Sequence, residues 1–450
     1  MAGTLVYVSF HYPSGGGTAS HRTARLARHL STLGWDVVVL CGPPVTGASQ
    51  TSPPGFRLIS VGGPSKGATA APSSMRSPTR LAQSDRPSRL RVLLRQVAFT
   101  PDPQIYWIPA ALAAARRSID GSQVGAILCS GPPFSVFLLG RVLKSMWKVP
   151  LVLDYRDVWQ DHPWWPAPRW RRGPEAWMER RLLAAADLVV ANHESMQKAL
   201  LAQVAWIADR CIVVPNGYDR DEIGTPVHPT WRPGERFEIV YAGTLYGPVA
   251  DPRARSETLS VQQPTAFFDA LRRLADRGVF ASGGVRATFV GAKPCTHEGD
   301  RLEACARDRG VAEMVQVLSR MEKSTVIPIL RQAHLLLNVL YYTEAQVAQK
   351  VYDYLHLEIP VLSLLRDSEV NAAIVRQARA GPVVDPADVA GIVQAIEGVV
   401  FDYSRGRHPI ASDRAFIDRF DAGAQARLLD SRLRDLIHRR RKGAGGSNGA

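Results

Sequence analysis

The amino-acid sequence predicts an α/β protein that contains two doubly wound parallel β-sheets. Short runs of β-branched and aliphatic residues alternate with amphipathic segments, which is the pattern of repeated β–α–β units. This pattern occurs twice, and the turn-rich segment Pro215–Asp219 separates the two series. The chain has 450 residues, which is long enough for two or three domains that each bury a core of their own.

The first series predicts an N-terminal domain over residues 1–216. Thr4–Ser9 reads as a strand that ends in a glycine-rich loop, and an amphipathic stretch and the apolar run Asp36–Cys41 follow. Continuous apolar runs favour a parallel sheet that helices cover on both faces. Residues 43–90 are rich in Pro, Ser, Gly, Ala and Arg, and we predict that they form a flexible basic flap.

The second series predicts a C-terminal domain over residues 217–405, facing the first across a cleft. It begins with the strand-like run Phe237–Gly243. In doubly wound sheets, ligands bind beyond the carboxyl ends of the strands. We expect residues 406–440 to form a helix that packs back on the N-terminal domain, and residues 441–450 to form a disordered tail.

The excess of positive charge indicates an anionic partner. The 55 Lys and Arg residues exceed the 41 Asp and Glu residues by 14, and arginine clusters in Arg76–Arg95 and Arg432–Lys442. Such clusters are typical of proteins that bind phosphorylated ligands or an anionic membrane surface, although a solvated arginine-rich surface has the same composition. No zinc-finger, RNP-like or helix-turn-helix spacing occurs, so we expect no nucleic-acid partner.

Cysteine usage and hydropathy predict a cytoplasmic location. The 5 cysteines are scattered and form no C-x-x-C pair, which predicts neither a metal site nor a disulfide framework. No apolar run approaches the roughly 20 residues of a membrane span, and the N-terminus lacks the pattern of a secretion signal.

A glycine-rich loop after the first strand is the first candidate site. The glycines Gly15–Gly17 let backbone N–H groups approach phosphate oxygens at the N-terminus of the following helix. The loop matches neither the dinucleotide-binding nor the P-loop pattern. A loop that only needs flexibility has the same composition, so both interpretations stay open.

The second candidate is the charged segment DYRDVW, residues 154–159, at the end of a predicted strand. Charged groups at buried strand ends need partners, so packing alone explains them poorly. Asp157 is a candidate to orient or deprotonate a hydroxyl, and Arg156 is a candidate to hold its charge. A purely structural Arg–Asp pair is the alternative.

The third candidate is a predicted helix that begins near Ala348. Lys350, Asp353 and Tyr354 are three or four residues apart, which places them on one side of this helix. Lys350 would offset diphosphate charge, and Asp353 would accept hydrogen bonds from ribose hydroxyls. A solvated Lys–Asp pair is the alternative that the spacing alone favours.

Taken in order along the chain, six segments resemble the family-4-like retaining glycosyltransferases of the GT-B fold, with a likeness to the RDPW-like subgroup. The segments are GGG at 15–17, DYRDVW at 154–159, ADLVVANHESM at 186–196, VVPNGYD at 213–219, VYAGTLYG at 240–247 and KVYDYLHLEIPVL at 350–362. In that family, two Rossmann-like domains enclose a nucleotide sugar, which the C-terminal domain holds, and the acceptor lies on the N-terminal domain.

This resemblance also implies site residues. The donor, a nucleoside diphosphate sugar, is the substrate, and no further cofactor and no metal are expected. The residues assigned to the donor are Gly16, Gly17, Gly243, Thr244, Lys293, Lys350 and Asp353. The residues assigned to catalysis are Asp157, as the sugar-facing acid, and Arg156.

The sequence departs from the family pattern in three places, one of which is His356–Glu358, where the family usually carries a small residue followed by glycine. Asp353 stands where the family usually carries a glutamate for the ribose, and residues 248–263 resemble an insertion where a basic residue is usual. The Asp-x-Asp sequence at Asp219–Asp221 follows the interdomain turn, so we interpret it as linker and not as a metal site.

Together, these observations predict a cytoplasmic glycosyltransferase. It would move a sugar to a lipid-linked, glycan or natural-product acceptor, and its basic segments suggest peripheral contact with an anionic inner membrane face. Two alternatives remain open: a sugar-nucleotide epimerase with the same architecture, and a catalytically silent scaffold that binds polyanions.

Overall fold

The protein divides into two compact units, each built on one parallel β-sheet. The first unit comprises Met1–Pro215 and Ala422–Ala450, and the second comprises Asn216–Asp421. The computed structural model describes residues 3–12, 18–43, 55–62, 98–160, 169–243, 245, 264–293, 298–339, 347–366 and 370–445. Two Rossmann-like units with parallel sheets confirm the predicted fold class.

In the first unit, the described strands form a seven-stranded sheet of order β3-β2-β1-β4-β5-β6-β7. The order reverses between β1 and β4, which is the switch point where such sheets bind ligands. The strands are β1 Thr4–Val8, β2 Asp36–Cys41, β3 Arg57–Ser60, β4 Val124–Gly131, β5 Leu151–Tyr155, β6 Leu188–Ala191 and β7 Cys211–Val213.

Helices cover both faces of this first sheet. Val6 and Val8 enter one buried cluster, whereas Leu5 and Tyr7 enter another, because successive side chains of a strand point to opposite faces. The continuous apolar runs therefore form a sheet that is buried on both faces. The helices are α1 Thr18–Thr32, α2 Ile108–Ser118, α3 Ser135–Trp147, α4 Arg169–Ala185 and α5 Glu194–Gln203.

In the second unit, the described strands form a six-stranded sheet of order β10-β9-β8-β11-β12-β13. This sheet has the same switch point, here between β8 and β11. The strands are β8 Phe237–Ala242, β9 Val285–Lys293, β10 Val315–Ser319, β11 Leu335–Val339, β12 Val361–Leu364 and β13 Val383–Val384.

The helices of the second unit also pack on both faces of their sheet. The strand residues Ile239 and Tyr241 contribute to one buried cluster and Val240 to another. The helices are α6 Arg220–Ile223, α7 Thr265–Asp276, α8 Glu298–Asp308, α9 Lys323–Arg331, α10 Gln349–Leu357, α11 Val370–Gln377, α12 Val389–Ser404 and α13 Arg414–Asp418.

The last helix, α14 Ala422–Gly445, belongs to the first unit. Leu429 and Leu433 are buried against the α1 side of the sheet, and Trp35 Nε1 donates a hydrogen bond to Asp430 Oδ1 over 2.7 Å. Arg434 Nη2 donates to the Leu33 carbonyl oxygen over 2.9 Å. A buried apolar stripe and two polar contacts thus attach the C-terminal end of the chain to this unit.

Three segments differ from the sequence-based expectation. Residues 406–421, predicted as the start of the C-terminal helix, belong to the second unit and contain the short helix α13, and α14 begins only at Ala422. Arg57–Ser60, inside the segment predicted as a flap, forms β3 and pairs in parallel with β2. Hydrogen bonds to a neighbouring strand decide this, and a four-residue run has too weak a pattern to predict them. The C-terminal helix continues to Gly445, into the predicted tail, and of the added residues Arg441, Lys442 and Ala444 are good helix formers whereas the two glycines are not. Residues 44–54 and 63–97, which include most of the predicted flap, lie outside the described residues.

Candidate functional site

In the first unit, a buried ion pair anchors the carboxyl end of β5. Arg22, on α1, donates from Nη2 to Asp154 Oδ1 over 2.7 Å and from Nε to Oδ2 over 3.1 Å. Ser130 Oγ donates to Asp154 Oδ2 over 2.7 Å, and Arg22 also reaches the carbonyl oxygens of Val214 and Pro215. The side chains of Arg22 and Asp154 are both at most 4% exposed, so Asp154 has a structural role at this edge of the sheet.

Arg156 follows β5 and turns back onto the main chain. Its guanidinium donates to the carbonyl oxygens of Gly131 and Pro132, and Asn192 Nδ2 donates to the Arg156 carbonyl oxygen. Burial lowers the pKa of Arg156, while the charge of Asp157 opposes that shift. Asp157 therefore acts on Arg156 through its charge, while the guanidinium donates hydrogen bonds to these two backbone oxygens.

Two histidines that the sequence analysis gave no role lie in this unit. Burial, and to a smaller extent the charge of Arg156, lowers the pKa of His11 to about 4. His193 Nδ1 accepts the Met196 N–H and caps α5, and burial lowers the pKa of His193 to about 4 as well. His193 Nε2 is buried with no hydrogen-bond partner in the described part of the chain. Both imidazoles are therefore neutral at pH 7, where each ring presents one N–H and one acceptor nitrogen.

Asp157 is half-buried, one residue beyond Arg156. Its carboxylate is close enough to Arg156 to raise that residue's pKa against the effect of burial. Gly16 and Gly17, which the resemblance assigns to the donor or acceptor, lie outside the described residues. The edge at the end of β5 therefore gathers a carboxylate and a guanidinium, with a neutral imidazole near enough to feel the guanidinium's charge.

In the second unit, Lys350 carries a partly enclosed ammonium at the carboxyl end of the sheet. Lys350 Nζ lies 3.8 Å from the centroid of the Tyr241 ring and donates to the Val339 carbonyl oxygen over 3.1 Å. Burial lowers the pKa of Lys350 well below its usual value. Within the described ranges, no carboxylate forms an ion pair with this ammonium. A cation that is desolvated without a counter-ion is prepared to bind an anion.

Gly243 lies directly against Lys350. It directly follows β8 and has a φ of +137°, a conformation that side-chain-bearing residues rarely adopt. A Cβ atom at this position would lie 3.7 Å from Lys350 Nζ, so strain and not lack of space selects glycine. Tyr354, from the same face of α10 as Lys350, accepts the Ala242 N–H at its hydroxyl over 2.8 Å and fixes the end of β8. Gly243 and Lys350, 107 positions apart in the numbering, therefore come together.

Asp353 has a different neighbourhood from Lys350. Lys323 Nζ, on α9, lies 3.0 Å from Asp353 Oδ2 and also 3.2 Å from Glu222 Oε2. Gln349 Nε2 lies 3.5 Å from Asp353 Oδ1 and donates to the Gly217 carbonyl oxygen. The solvated Lys350–Asp353 pair that spacing alone favoured is wrong, because each side chain has its own long-range partner. Lys323 is the nearby charged residue that the sequence analysis missed.

Two predicted donor residues are only partly covered by the structure. Lys293 is the last residue of β9, the strand that pairs with β8. The side chain of Lys293 is not among those that the structure describes. Thr244 and the insertion 248–263 also lie outside the described residues. Of the predicted donor residues, Gly243 and Lys350 are the two that the described structure brings into contact.

Comparison with known proteins identifies both halves of the chain. Residues 17–217 match the model of the glycosyl transferase 4-like domain, and residues 257–402 match the model of glycosyl transferases group 1. The two matches together span more than half of the chain. No curated protein matches the sequence. In the described part of the chain, the helices are too short or too polar to cross a bilayer.

Solved structures share the fold at low sequence identity. Sucrose-phosphate synthase from Thermosynechococcus elongatus is 14% identical with a TM-score of 0.59, and the match covers 97% of this chain and 99% of that one. A glycosyltransferase from Rickettsia africae is 12% identical with a TM-score of 0.60, with 96% and 98% covered. Anabaena HepE, in complex with UDP and glucose, is 12% identical with a TM-score of 0.56, with 96% and 99% covered. The two domain models, together with this shared fold, make the protein a member of the family-4-like glycosyltransferases of the GT-B fold.

Proposed function

We propose that this glycosyltransferase uses a nucleoside diphosphate sugar as donor and that its second unit binds the diphosphate through Lys350. The observation that carries the proposal is the ammonium of Lys350, which is enclosed against Tyr241 without a carboxylate partner in the described ranges. Diphosphate oxygens would supply the missing negative charge. The complex of HepE with UDP and glucose supports the same class of donor.

The main chain at the end of β8 would supplement Lys350. Gly243 lets the backbone pass close to a ligand, and we assign Thr244 to the same diphosphate pocket. Lys293, at the end of the neighbouring strand, is a further phosphate ligand in this proposal. Asp353 accepts hydrogen bonds from the ribose hydroxyls while Lys323 holds its carboxylate in place.

Transfer proceeds with retention and without a metal in this proposal. Protonated Lys350 and backbone N–H groups stabilise the negative charge that develops on the leaving diphosphate. Burial lowers the pKa of Lys350, and the negative charge of a bound diphosphate would raise it and so favour the protonated form of the side chain. Stabilisation of the leaving group is therefore the main chemical task of these residues, and positioning of the acceptor is the other.

The first unit binds the acceptor in this proposal, with Asp157 facing the sugar and Arg156 beside it. We infer a lipid-linked or other glycan acceptor and peripheral contact with an anionic membrane face. The exposed surface of α4 supports this inference, because Trp170 and Trp177 are 44% and 62% exposed and Arg181 stacks on Trp177. Exposed Trp and Arg side chains are typical of surfaces that lie at a membrane interface.

The donor proposal is tested by thermal shift with UDP-, GDP- and TDP-linked sugars. At least one donor should raise the melting temperature of the wild type, and Lys350→Ala should abolish that rise. Lys198→Ala, an exposed lysine of the first unit, is the matched control and should respond as the wild type does. If no donor shifts the wild type, or if Lys350→Ala responds normally, the assignment of Lys350 to the donor is wrong.

Turnover separates the proposal from its two alternatives. A transferase releases nucleoside diphosphate and needs an acceptor to form a glycosylated product. An epimerase converts the sugar nucleotide without any acceptor, and a silent scaffold leaves it unchanged. Turnover that persists in excess EDTA supports metal independence, whereas loss that Mg²⁺ or Mn²⁺ restores refutes it.

Membrane contact is tested by vesicle flotation. The wild type should float with vesicles that contain phosphatidylglycerol and remain behind with pure phosphatidylcholine. Trp177→Ala should weaken flotation, since this exposed side chain has no role in the buried core. Equal flotation with both kinds of vesicle would refute an electrostatic contact.

A further inference from the structure

A concave surface of the first unit gathers cations at the sheet edge that the candidate site does not use. The concavity has a volume of about 420 Å³. Its charged lining residues are Arg141, Lys144, Lys148, Asp187, Arg210 and Arg440. They come from α3, from the segments that precede β5, β6 and β7, and from the C-terminal helix α14. No motif in the sequence groups these residues, because they span 300 positions.

The concavity lies opposite the candidate site of the same unit. Lys148, Asp187 and Arg210 precede the amino ends of β5, β6 and β7, whereas Arg156 and Asp157 follow the carboxyl end of β5. Because β5 has 5 residues and a strand rises about 3.3 Å per residue, roughly 15 Å of sheet separates the two edges. The two sites are therefore distinct.

The acidic residue of the lining is already neutralised. Asp187 Oδ2 accepts from Lys144 Nζ over 2.6 Å and from the Leu151 N–H over 2.7 Å. Lys144 Nζ also donates to the Ala185 carbonyl oxygen over 2.7 Å. This Lys144–Asp187 pair joins the ends of a helix and a strand. Because Lys144 neutralises Asp187, the lining offers no free carboxylate to the other cations.

The other four cations have no carboxylate partner among the described residues. Arg141 donates to Ser145 Oγ, and the Arg210 guanidinium lies 4.9 Å from the centroid of the Trp206 ring. Arg210 Nε is buried and has no hydrogen-bond partner in the described ranges. Lys148 adopts a left-handed conformation with φ of 55° at the end of α3, where glycine would be unstrained. Four uncompensated cations around one concavity repel each other unless an anion lies between them.

We propose that this concavity binds a phosphate-bearing anion. Guanidinium groups match phosphate oxygens with paired N–H donors, and the lysines add charge. The concavity admits a compact phosphate or diphosphate, whereas an extended nucleic acid needs a longer basic track. A soluble phosphate and the headgroup of an anionic phospholipid share this chemistry. Trp206, which is 59% exposed beside Arg210, offers a membrane anchor if the phosphate belongs to a lipid.

The test compares two pocket variants with a matched control in the full-length protein. Lys148→Gly removes one cation and also relieves the left-handed strain, so its folded state should be at least as stable as that of the wild type. Arg440→Gln removes a cation from α14, and Arg432→Gln makes the same change at an exposed residue two turns earlier that does not line the concavity.

The first arm measures binding of inorganic pyrophosphate by calorimetry, and the second measures flotation with vesicles that contain phosphatidic acid in phosphatidylcholine. In whichever of the two assays the wild type binds, Lys148→Gly and Arg440→Gln should each lower the affinity by about tenfold, as expected for the loss of one charge-assisted hydrogen bond. Arg432→Gln should bind as the wild type does. Pyrophosphate binding assigns the site to a soluble phosphate, and flotation without it assigns the site to a lipid.

Two results overturn the proposal. The first is that the wild type binds neither pyrophosphate nor vesicles with phosphatidic acid. The second is that Lys148→Gly and Arg440→Gln bind as tightly as Arg432→Gln. Running the pyrophosphate arm also on Lys350→Ala separates this site from the proposed donor site, because binding that depends on Lys350 alone would count against the concavity.

Discussion

Replacement of Glu179 by glutamine should stabilise the first unit at alkaline pH. Glu179 lies on α4 and is 0% exposed, and neither carboxyl oxygen has a hydrogen-bond partner within the described ranges. The pKa of Glu179 is raised to about 7, mainly by burial and to a smaller extent by the charge of Glu175. The side chains of Gln160, Tyr155 and Gln203 lower it without cancelling the effect of burial.

The magnitude follows from the pKa of Glu179 in the two states. The pKa rises from 4.5 to about 7, a difference of about 2.5, and one pKa unit corresponds to about 1.4 kcal/mol. The folded state holds this proton more tightly, so the contribution to stability is complete below pH 4.5 and is lost as the pH rises through 7. Wild-type stability should therefore fall by at most about 3 kcal/mol across this range because of Glu179.

Glutamine keeps the size of the side chain and removes the charge. Its amide also offers a donor to Gln203 Oε1, a buried acceptor with no partner in the described part of the chain. The other ionisable groups around Glu179 are Glu175, which pairs with Arg171, and Tyr155, whose pKa burial raises well above the usual value. Neither group reverses the predicted pH dependence of stability, because Glu175 already has Arg171 as its counter-ion and the Tyr155 phenol stays neutral over this range.

The assay is urea unfolding of the full-length protein at pH 5 and pH 8, combined with amide hydrogen exchange in α4 to assign the transition to the first unit. Glu179→Gln should gain up to about 3 kcal/mol at pH 8 and much less at pH 5. Asp209→Asn, which removes an exposed carboxylate of the same unit, should show no such dependence. A gain that is equal at the two pH values, or a loss at pH 8, would refute the reasoning.

Three further predictions test the sheet edges. Asp154→Asn should lower the free energy of unfolding in urea titrations by about 3–5 kcal/mol, because it leaves Arg22 buried without its counter-ion. Ser130→Ala, which removes one hydrogen bond to the same carboxylate, should lower it by about 1 kcal/mol. Equal losses in the two variants would contradict this account. The lowered pKa of Lys350 predicts that the free energy of unfolding of the wild type rises towards alkaline pH. Lys350→Met should reduce this rise, and in urea at pH 7 the variant should be at least as stable as the wild type. An unchanged pH dependence would show that the ammonium is not desolvated. Gly243→Ala should destabilise the second unit by about 1–3 kcal/mol in thermal unfolding, because alanine is strained at a φ of +137°. The same variant should bind the donor more weakly. A variant as stable as the wild type would show that this φ is not required.

The sequence predicted the strands that are apolar throughout and the helices between them. Runs such as Asp36–Cys41 and Leu335–Val339 are buried over nearly their whole length and recur in two series, so local pattern alone indicated two parallel sheets. The short strand Arg57–Ser60 escaped prediction, because two of its four residues are exposed and its place depends on pairing with β2.

The candidate site was predictable where its residues belong to recognisable short motifs. Lys350 and Gly243 were both singled out, and the described structure brings them into contact. The side-chain partners were not predictable. Helix spacing suggested that Lys350 and Asp353 act as a pair, but Asp353 binds Lys323 on a different helix.

For this protein, the sequence by itself determined the class of fold, the division into two series of β–α–β units and the membership of a transferase family, because these follow from periodicity and from motifs within short stretches of chain. Only the tertiary structure decided which charges are neutralised. Arg22 meets Asp154 across 132 positions, and the cations near Arg440 converge from four separate segments. A charge's partner depends on which elements pack side by side, and that information is spread over the whole chain and is absent from the neighbourhood of any one residue.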